Sequence, residues 1–186
     1  MAAQLTLVDN VGMKAAASKL CAATARRIQK LRCSWLPVNS RESRSDPDRL
    51  PRCSACSTTG LVLETVDHLF QCHASSRQKE IKAIFARLHN RFSEWKTSRH
   101  LISALKSGAT AWLEGREIPP VTSLDLPQDK LGRLIAQAYT DPTMLGWNVL
   151  FRGFWVKNWR LAQEEQFQLY HSPERQDTSE GTFMKT

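Results

Sequence analysis

One cluster of soft ligands constrains this chain more than any other feature: Cys53-Ser54-Ala55-Cys56, then eleven residues, His68, three residues, and Cys72. Two residues between cysteines let a tight turn aim both sulfurs at one ion. His68 and Cys72, at i and i+4, share a helix face about one turn apart. Three thiolates and one imidazole fill the corners of a tetrahedron and leave no open position, so the pattern predicts one structural zinc and not a catalytic metal. Glu64 and Asp67 are both available to hold the free ring nitrogen of His68. His73 is an alternative fourth ligand, but its place next to Cys72 would strain the approach. The competing reading, ordinary buried thiols and a satisfied histidine, is weakened by Pro51 and Gly60, which frame the cluster as a turn.

The rest of the cysteine arithmetic agrees. Five cysteines is an odd number, and Met1 to Asn10 lacks the basic start of a secretory signal, so metal in a reducing compartment is expected rather than disulfides. Cys21 and Cys33 have no partner at ligand spacing and read as packing residues. No run of 18 apolar residues occurs, which predicts no membrane span, and the missing signal with the odd cysteine count leads to the expectation of an intracellular, nuclear or cytoplasmic protein.

The net charge of +8 is unevenly placed. The first hundred of the 186 residues carry 17 basic and 8 acidic side chains, whereas the last 86 carry 9 and 10. A polyanionic partner, if there is one, therefore belongs to the half that holds the cysteines. A solvated basic surface is the bland alternative.

Periodicity predicts an all-α protein of about five helices, with the Cys-Cys-His-Cys knuckle inserted after the first long one. From Val11 to Trp35, Met13, Ala17, Leu20, Thr24, Ile28, Leu31 and Trp35 recur at helical spacing, and Lys19, Arg26 and Lys30 form a basic row beside them. The same stretch is acid-poor, as in a mitochondrial targeting helix, but the stripe continues to Trp35. Leu36 to Pro51 reads as a loop. Beyond the cysteine pair, Ser57 to Gly60 is a turn and Leu61 to Leu63 a short strand or extended arm. Thr65 or Glu64 opens a short helix through Cys72.

Ser75 and Gln78 form a capping box ahead of Ile81, Ile84, Phe85, Leu88, Phe92 and Trp95. Further helices are expected from Ser98 to Leu113, from Pro127 to Tyr139, and from Thr143 to about Tyr170 after an Asp141-Pro142 cap. Arg116 to Leu126 reads as a loop. Gly146 and Gly153 then share one helix face as a notch for a neighbour, with the aromatics around them in the core. The domain reading is a basic helix and loop over 1–50, the knuckle over 51–74, a helical bundle over 75–171 and a disordered tail over 172–186.

Catalytic signatures are wanting. There is no Gly-rich phosphate loop, no Gly-x-Ser-x-Gly elbow and no His-Glu-x-x-His. Glu80-Ile81-Lys82 has a nuclease-like Glu-x-Lys spacing but no acidic partner placed before it.

Several stretches together resemble a family: Trp35-Leu36-Pro37-Val38-Asn39, Arg52-Cys53-Ser54-Ala55-Cys56, Glu64-Thr65-Val66-Asp67-His68-Leu69-Phe70-Gln71-Cys72, and the helix with Gly146-Trp147, Gly153 and Trp159. They look like the zinc-binding region downstream of the polymerase core in reverse transcriptases of non-LTR retroelements, over roughly residues 20–170. The resemblance implies a nucleic-acid-binding knuckle, with a polymerase domain encoded upstream. It carries no catalysis over: Tyr139-Thr140-Asp141-Pro142 ends in proline where the polymerase signature needs its second aspartate.

Two functions follow as expectations. The leading one is backbone contact with RNA or DNA through Lys19, Arg26, Arg27 and Lys30 on the first helix and Lys79, Lys82, Arg87 and Arg91 on the helix after the knuckle. The alternative is a helical protein-interaction module in which zinc is purely structural.

Overall fold

The computed structural model describes residues 6–46, 48–56 and 62–171. Leu61, the turn expected at Ser57 to Gly60, the start of the segment read for a signal (1–5) and the tail expected over 172–186 lie outside the described residues. The fold is all-α. Nine α-helices are present among the described residues: α1 Asn10–Ala17, α2 Ala22–Arg32, α3 Asn39–Glu42, α4 Val66–Gln71, α5 Ser75–Glu94, α6 Arg99–Leu113, α7 Lys130–Leu145, α8 Asn148–Phe151 and α9 Lys157–His171. A 3-10 turn at Val121–Ser123 joins α6 to α7. None of these helices is long and apolar enough to cross a membrane.

The core is built by α6, α7 and α9. Leu101, Ala104, Leu105 and Ala109 of α6 meet Leu131, Ile135, Ala138 and Tyr139 of α7, and α9 adds Trp159 and Ala162. Small residues let these helices approach. Gly108 of α6 makes room for a side chain instead, since a Cβ there would sit 2.0 Å from the Trp147 indole. It seats an indole from the segment after α7, not the neighbouring helix expected against Gly146 and Gly153.

The last long helix differs from expectation at both of its glycines. Gly146 (φ 91°) ends α7 and Gly153 (φ 81°) lies in the turn before α9. Both adopt backbone that favours glycine, so they interrupt helix instead of notching it. Nor does Asp141-Pro142 cap anything. Pro142 lies inside α7, and α7 starts at Lys130 behind Asp129, whose carboxylate accepts from the Gly132 N–H at 2.9 Å. A proline inside a helix leaves the carbonyl four residues back without its N–H. Here that carbonyl, of Ala138, accepts from Trp159 Nε1 at 2.6 Å.

The first helix is also two. It stops at Ala17, the Ser18 hydroxyl donates to the Ala15 carbonyl at 2.8 Å, and Cys21 turns extended before α2. The basic row therefore breaks, leaving Lys19 in the turn and Arg26, Arg27 and Lys30 on α2. The anchors explain the break. The Asp9 N–H donates to the Trp155 carbonyl at 2.7 Å, and Arg32 Nη2 donates to the Gly153 carbonyl at 3.0 Å. A straight helix would hold positions 9 and 32 about 34 Å apart at about 1.5 Å per residue, and no three-residue target can span that.

No residue of α1 or α2 is fully buried, and Cys21 and Cys33 are exposed thiols, not packing residues. The same holds for α5, whose apolar stripe has no buried member. The expected capping box is absent there: Ala74 is the N-cap, Ser75 is the first helical residue, and the Gln78 side chain donates instead to the Cys72 carbonyl at 2.8 Å. Between α1, α2, the end of α5 and α9 lies an open groove of about 1100 Å³.

Candidate metal centre

The knuckle begins with two short extended pieces paired back to back. Arg52 bridges Leu63, the Cys53 N–H donates to the Val62 carbonyl at 2.8 Å, and the Glu64 N–H donates to the Pro51 carbonyl at 3.0 Å. The Cys56 N–H then closes onto the Cys53 carbonyl at 3.3 Å, the tight turn that points both sulfurs one way. The Thr65 hydroxyl caps α4 by accepting from the His68 N–H at 3.1 Å, so the helix opens at Thr65 as expected. That cap fixes the helical register in which His68 and Cys72 face the same side.

The four side chains converge. Ligand atoms of Cys53, Cys56, His68 and Cys72 all lie within 4.8 Å of one another. Sγ of Cys53 is 3.9 Å from Sγ of Cys72, Sγ of Cys56 is 3.1 Å from Sγ of Cys72, and Cys56 Sγ is 3.5 Å from His68 Nε2. A tetrahedral centre with metal–sulfur bonds of about 2.3 Å has sulfur–sulfur edges of about 3.8 Å, so small side-chain adjustments make this set a metal cage. None of these cysteines is in a disulfide, and the 3.1 Å between Sγ of Cys56 and Sγ of Cys72 exceeds a disulfide bond of about 2.05 Å. These residues can hold a metal ion. His73 is exposed and stands outside the group.

The thiols share protons unequally. Hydrogen bonding to Cys72, followed by burial, pushes the Cys56 thiol up to about 11. Burial pushes Cys72 up as well, but the Ala74 N–H, the two neighbouring thiols and Arg77 outweigh it and its net shift is downward. Burial lowers His68 against an opposing pull from Glu64, which favours the neutral imidazole a metal needs.

Neither carboxylate offered for the His68 ring is committed to it. Asp67 receives both Arg152 Nη2 contacts, each at 2.9 Å, and the buried Glu64 accepts from the Asn39 N–H at 3.3 Å. Arg152 is a residue that sequence reasoning missed, since nothing in its local pattern ties it to Asp67, 85 positions away. Gln71 was missed too, and its side chain donates to the Trp112 carbonyl at 2.9 Å. With Phe70 against Phe151 at 5.3 Å, these contacts seat α4 on the helical core.

The eight basic candidates, Lys19, Arg26, Arg27, Lys30, Lys79, Lys82, Arg87 and Arg91, are all exposed. Arg91 also pairs with Glu94 at 2.8 Å. The largest departure nearby is Trp35. Expected as the last member of the apolar stripe, it lies beyond the end of α2 and is 62% exposed. Leu36-Pro37 held the signal, because the residue before a proline disfavours helix.

No family model matches the chain, and neither a curated protein nor a solved structure proves similar to it.

Proposed function

We propose that this chain is a zinc-dependent nucleic-acid-binding module, non-catalytic by itself and related to the region downstream of the polymerase core in non-LTR retroelement reverse transcriptases. The observation that carries the reading is the convergence of Cys53, Cys56, His68 and Cys72 within the half of the chain that holds all the excess positive charge. Three sulfurs and a nitrogen suit zinc, which in such a closed site supplies folding free energy and no reactive position. Residues 10–41 carry seven basic side chains and no acidic one. Together with Lys79, Lys82, Arg87 and Arg91 they offer phosphates an electrostatic surface.

A second reading has its own support. The open groove is lined largely by apolar side chains such as Met13, Leu20, Ile28, Phe92 and Trp155, and a protein-interaction module would seat an amphipathic helix with acidic flanks there.

The two separate in one experiment. A labelled single-stranded RNA and a DNA duplex are titrated at several salt concentrations, with and without chelator. Under the leading reading, binding weakens with salt at a log-log slope of about −0.7 per phosphate contact on single strands and about −0.9 on duplex. Replacing Arg26, Arg27 and Lys30 together by Gln reduces the slope by about two to three units. Negligible affinity at physiological salt, or equal binding by metal-free protein, overturns it in favour of the interaction module.

A further inference from the structure

We infer that Trp35, backed by Arg41, is a stacking platform for an unpaired base, which makes single strands the preferred partner of this module. The inference rests on the nucleic-acid reading above and adds to it a specific contact and a strand preference.

Trp35 is presented, not merely left over. The chain leaves α2 through a reverse turn in which the Ser34 N–H donates to the Leu31 carbonyl at 3.0 Å and the Trp35 N–H donates to the Lys30 carbonyl at 2.5 Å. That bonding pattern puts its first residue past the cap in left-handed backbone, normally a glycine. Here it is Ser34, at φ 54°, so the turn is held at a local cost that a glycine would avoid. In such turns the next residue usually folds back onto the helix as an apolar contact. Trp35 does the opposite and leaves 62% of its surface in water.

The indole is also furnished for recognition. The Arg41 guanidinium carbon lies 5.2 Å from its ring centroid, within the range in which a cation is drawn to an aromatic face. Arg41 belongs to α3, and α3 is tied to the knuckle. The Ser40 N–H donates to the Glu64 carbonyl at 3.3 Å, and Asn39 Nδ2 donates to the Arg52 carbonyl at 2.7 Å. The knuckle thus holds the short helix from which Arg41 reaches the indole. Lys30 stands one turn back on α2, exposed and within an acid-free stretch, where it can meet the phosphate beside a stacked base.

Stacking needs an open base face. A base on the exposed face of Trp35 removes apolar surface from water whatever its identity, so the contact tolerates any sequence. In a duplex both faces of each base are already covered by neighbours, and Trp35 can reach none of them without breaking a stack. Stacking also releases no counterions, whereas phosphate pairing does. Trp35 should therefore govern affinity on single strands while the basic side chains govern salt dependence.

The test compares wild type, Trp35→Ala, Trp35→Phe and Trp95→Ala on one RNA sequence, single-stranded and as a duplex, at several salt concentrations. Trp95 is the comparator because it is similarly exposed, at 58%, and lies away from the knuckle on the end of α5. Zinc content and thermal melting establish that each variant is folded, which the exposure of both side chains favours. Trp35→Ala should weaken single-strand binding roughly tenfold to a hundredfold, with an unchanged salt slope and unchanged duplex affinity. Trp35→Phe should retain much of the affinity, and Trp95→Ala should match wild type. Single-strand binding by Trp35→Ala within about twofold of wild type overturns the platform while the nucleic-acid reading stands, and would place Trp35 in a protein contact instead. An equal loss on single strand and duplex overturns it as well. If wild type binds neither form, both proposals fall together.

Discussion

Pro142 has no N–H to give, so the Ala138 carbonyl inside α7 depends on a side chain from another helix, the Trp159 indole at 2.6 Å. The arrangement is buried, with Ala138 fully covered and Trp159 6% exposed. Replacing Trp159 by Phe keeps most of the apolar volume and removes the donor, leaving a buried carbonyl without a partner. Such a group costs roughly 1–3 kcal/mol. Trp159→Phe should lower stability by about that amount in urea unfolding, and an unchanged midpoint would mean that the carbonyl finds another donor. Next to this contact, Asn158 Nδ2 donates to the buried Asp141 at 2.8 Å. Burial raises the Asp141 carboxyl and this hydrogen bond only partly opposes it.

Among the elements, α4 decides whether the metal site is assembled, because it carries His68 and ends at Cys72. It is only six residues long, too short to persist in water on propensity alone. Its order comes from the Thr65 cap, from Gln71 on the Trp112 carbonyl and from Asp67 on Arg152. Arg152 touches no ligand, yet it fixes the helix that presents two of them. The pair is partly exposed, with side chains 26% and 36% accessible, so its worth is on the order of 1 kcal/mol at most. Arg152→Ala should therefore speed zinc transfer to a colorimetric chelator by roughly threefold to fivefold while leaving the stoichiometry intact. Transfer at the wild-type rate would show that α4 is held by Phe70 and Gln71 without the ion pair.

At the scale of the whole molecule, metal loading, protonation and folding are one linked equilibrium. A thiol must lose its proton to become a ligand, and Cys56 is held as a thiol up to about 11 by its hydrogen bond to Cys72 and by burial. Under the proposed zinc reading, loading near neutral pH should expel protons, and apparent affinity should rise between about pH 6 and about pH 8. His68 works in the same direction. Its value is lowered in the fold, chiefly by burial, from the ordinary 6.5, so the unfolded chain binds the proton more readily. The stabilisation from neutral His68 is complete above the unfolded value and is lost as pH falls through the folded one. Calorimetry of zinc binding in two buffers of different ionisation enthalpy checks the linkage: the apparent enthalpies should differ in proportion to the protons released, and identical values would contradict it.

The metal cluster and the all-α class were legible in the amino-acid order because each rests on local spacing. Two residues between Cys53 and Cys56, four positions from His68 to Cys72 and a 3.6-residue apolar period act within one turn of chain. Interruptions were not legible in the same way. Met13 to Trp35 satisfies a helical pattern throughout, and only the attachment of Asp9 and Arg32 to the same turn before α9 forces the chain to fold between them. Pro142 reads as a helix boundary by every local rule, and only Trp159, arriving from α9, makes its place inside α7 tenable. Gly146 and Gly153 fit a helix face on spacing, but their positive φ angles belong to turns set by where α7 and α9 must pack. Sequence alone determined that the chain is helical and which ligands come together, since those depend on neighbours along the chain. The tertiary structure alone decided where α1 gives way to α2 and how Pro142 is held inside α7, since those depend on partners distant in sequence and near in space.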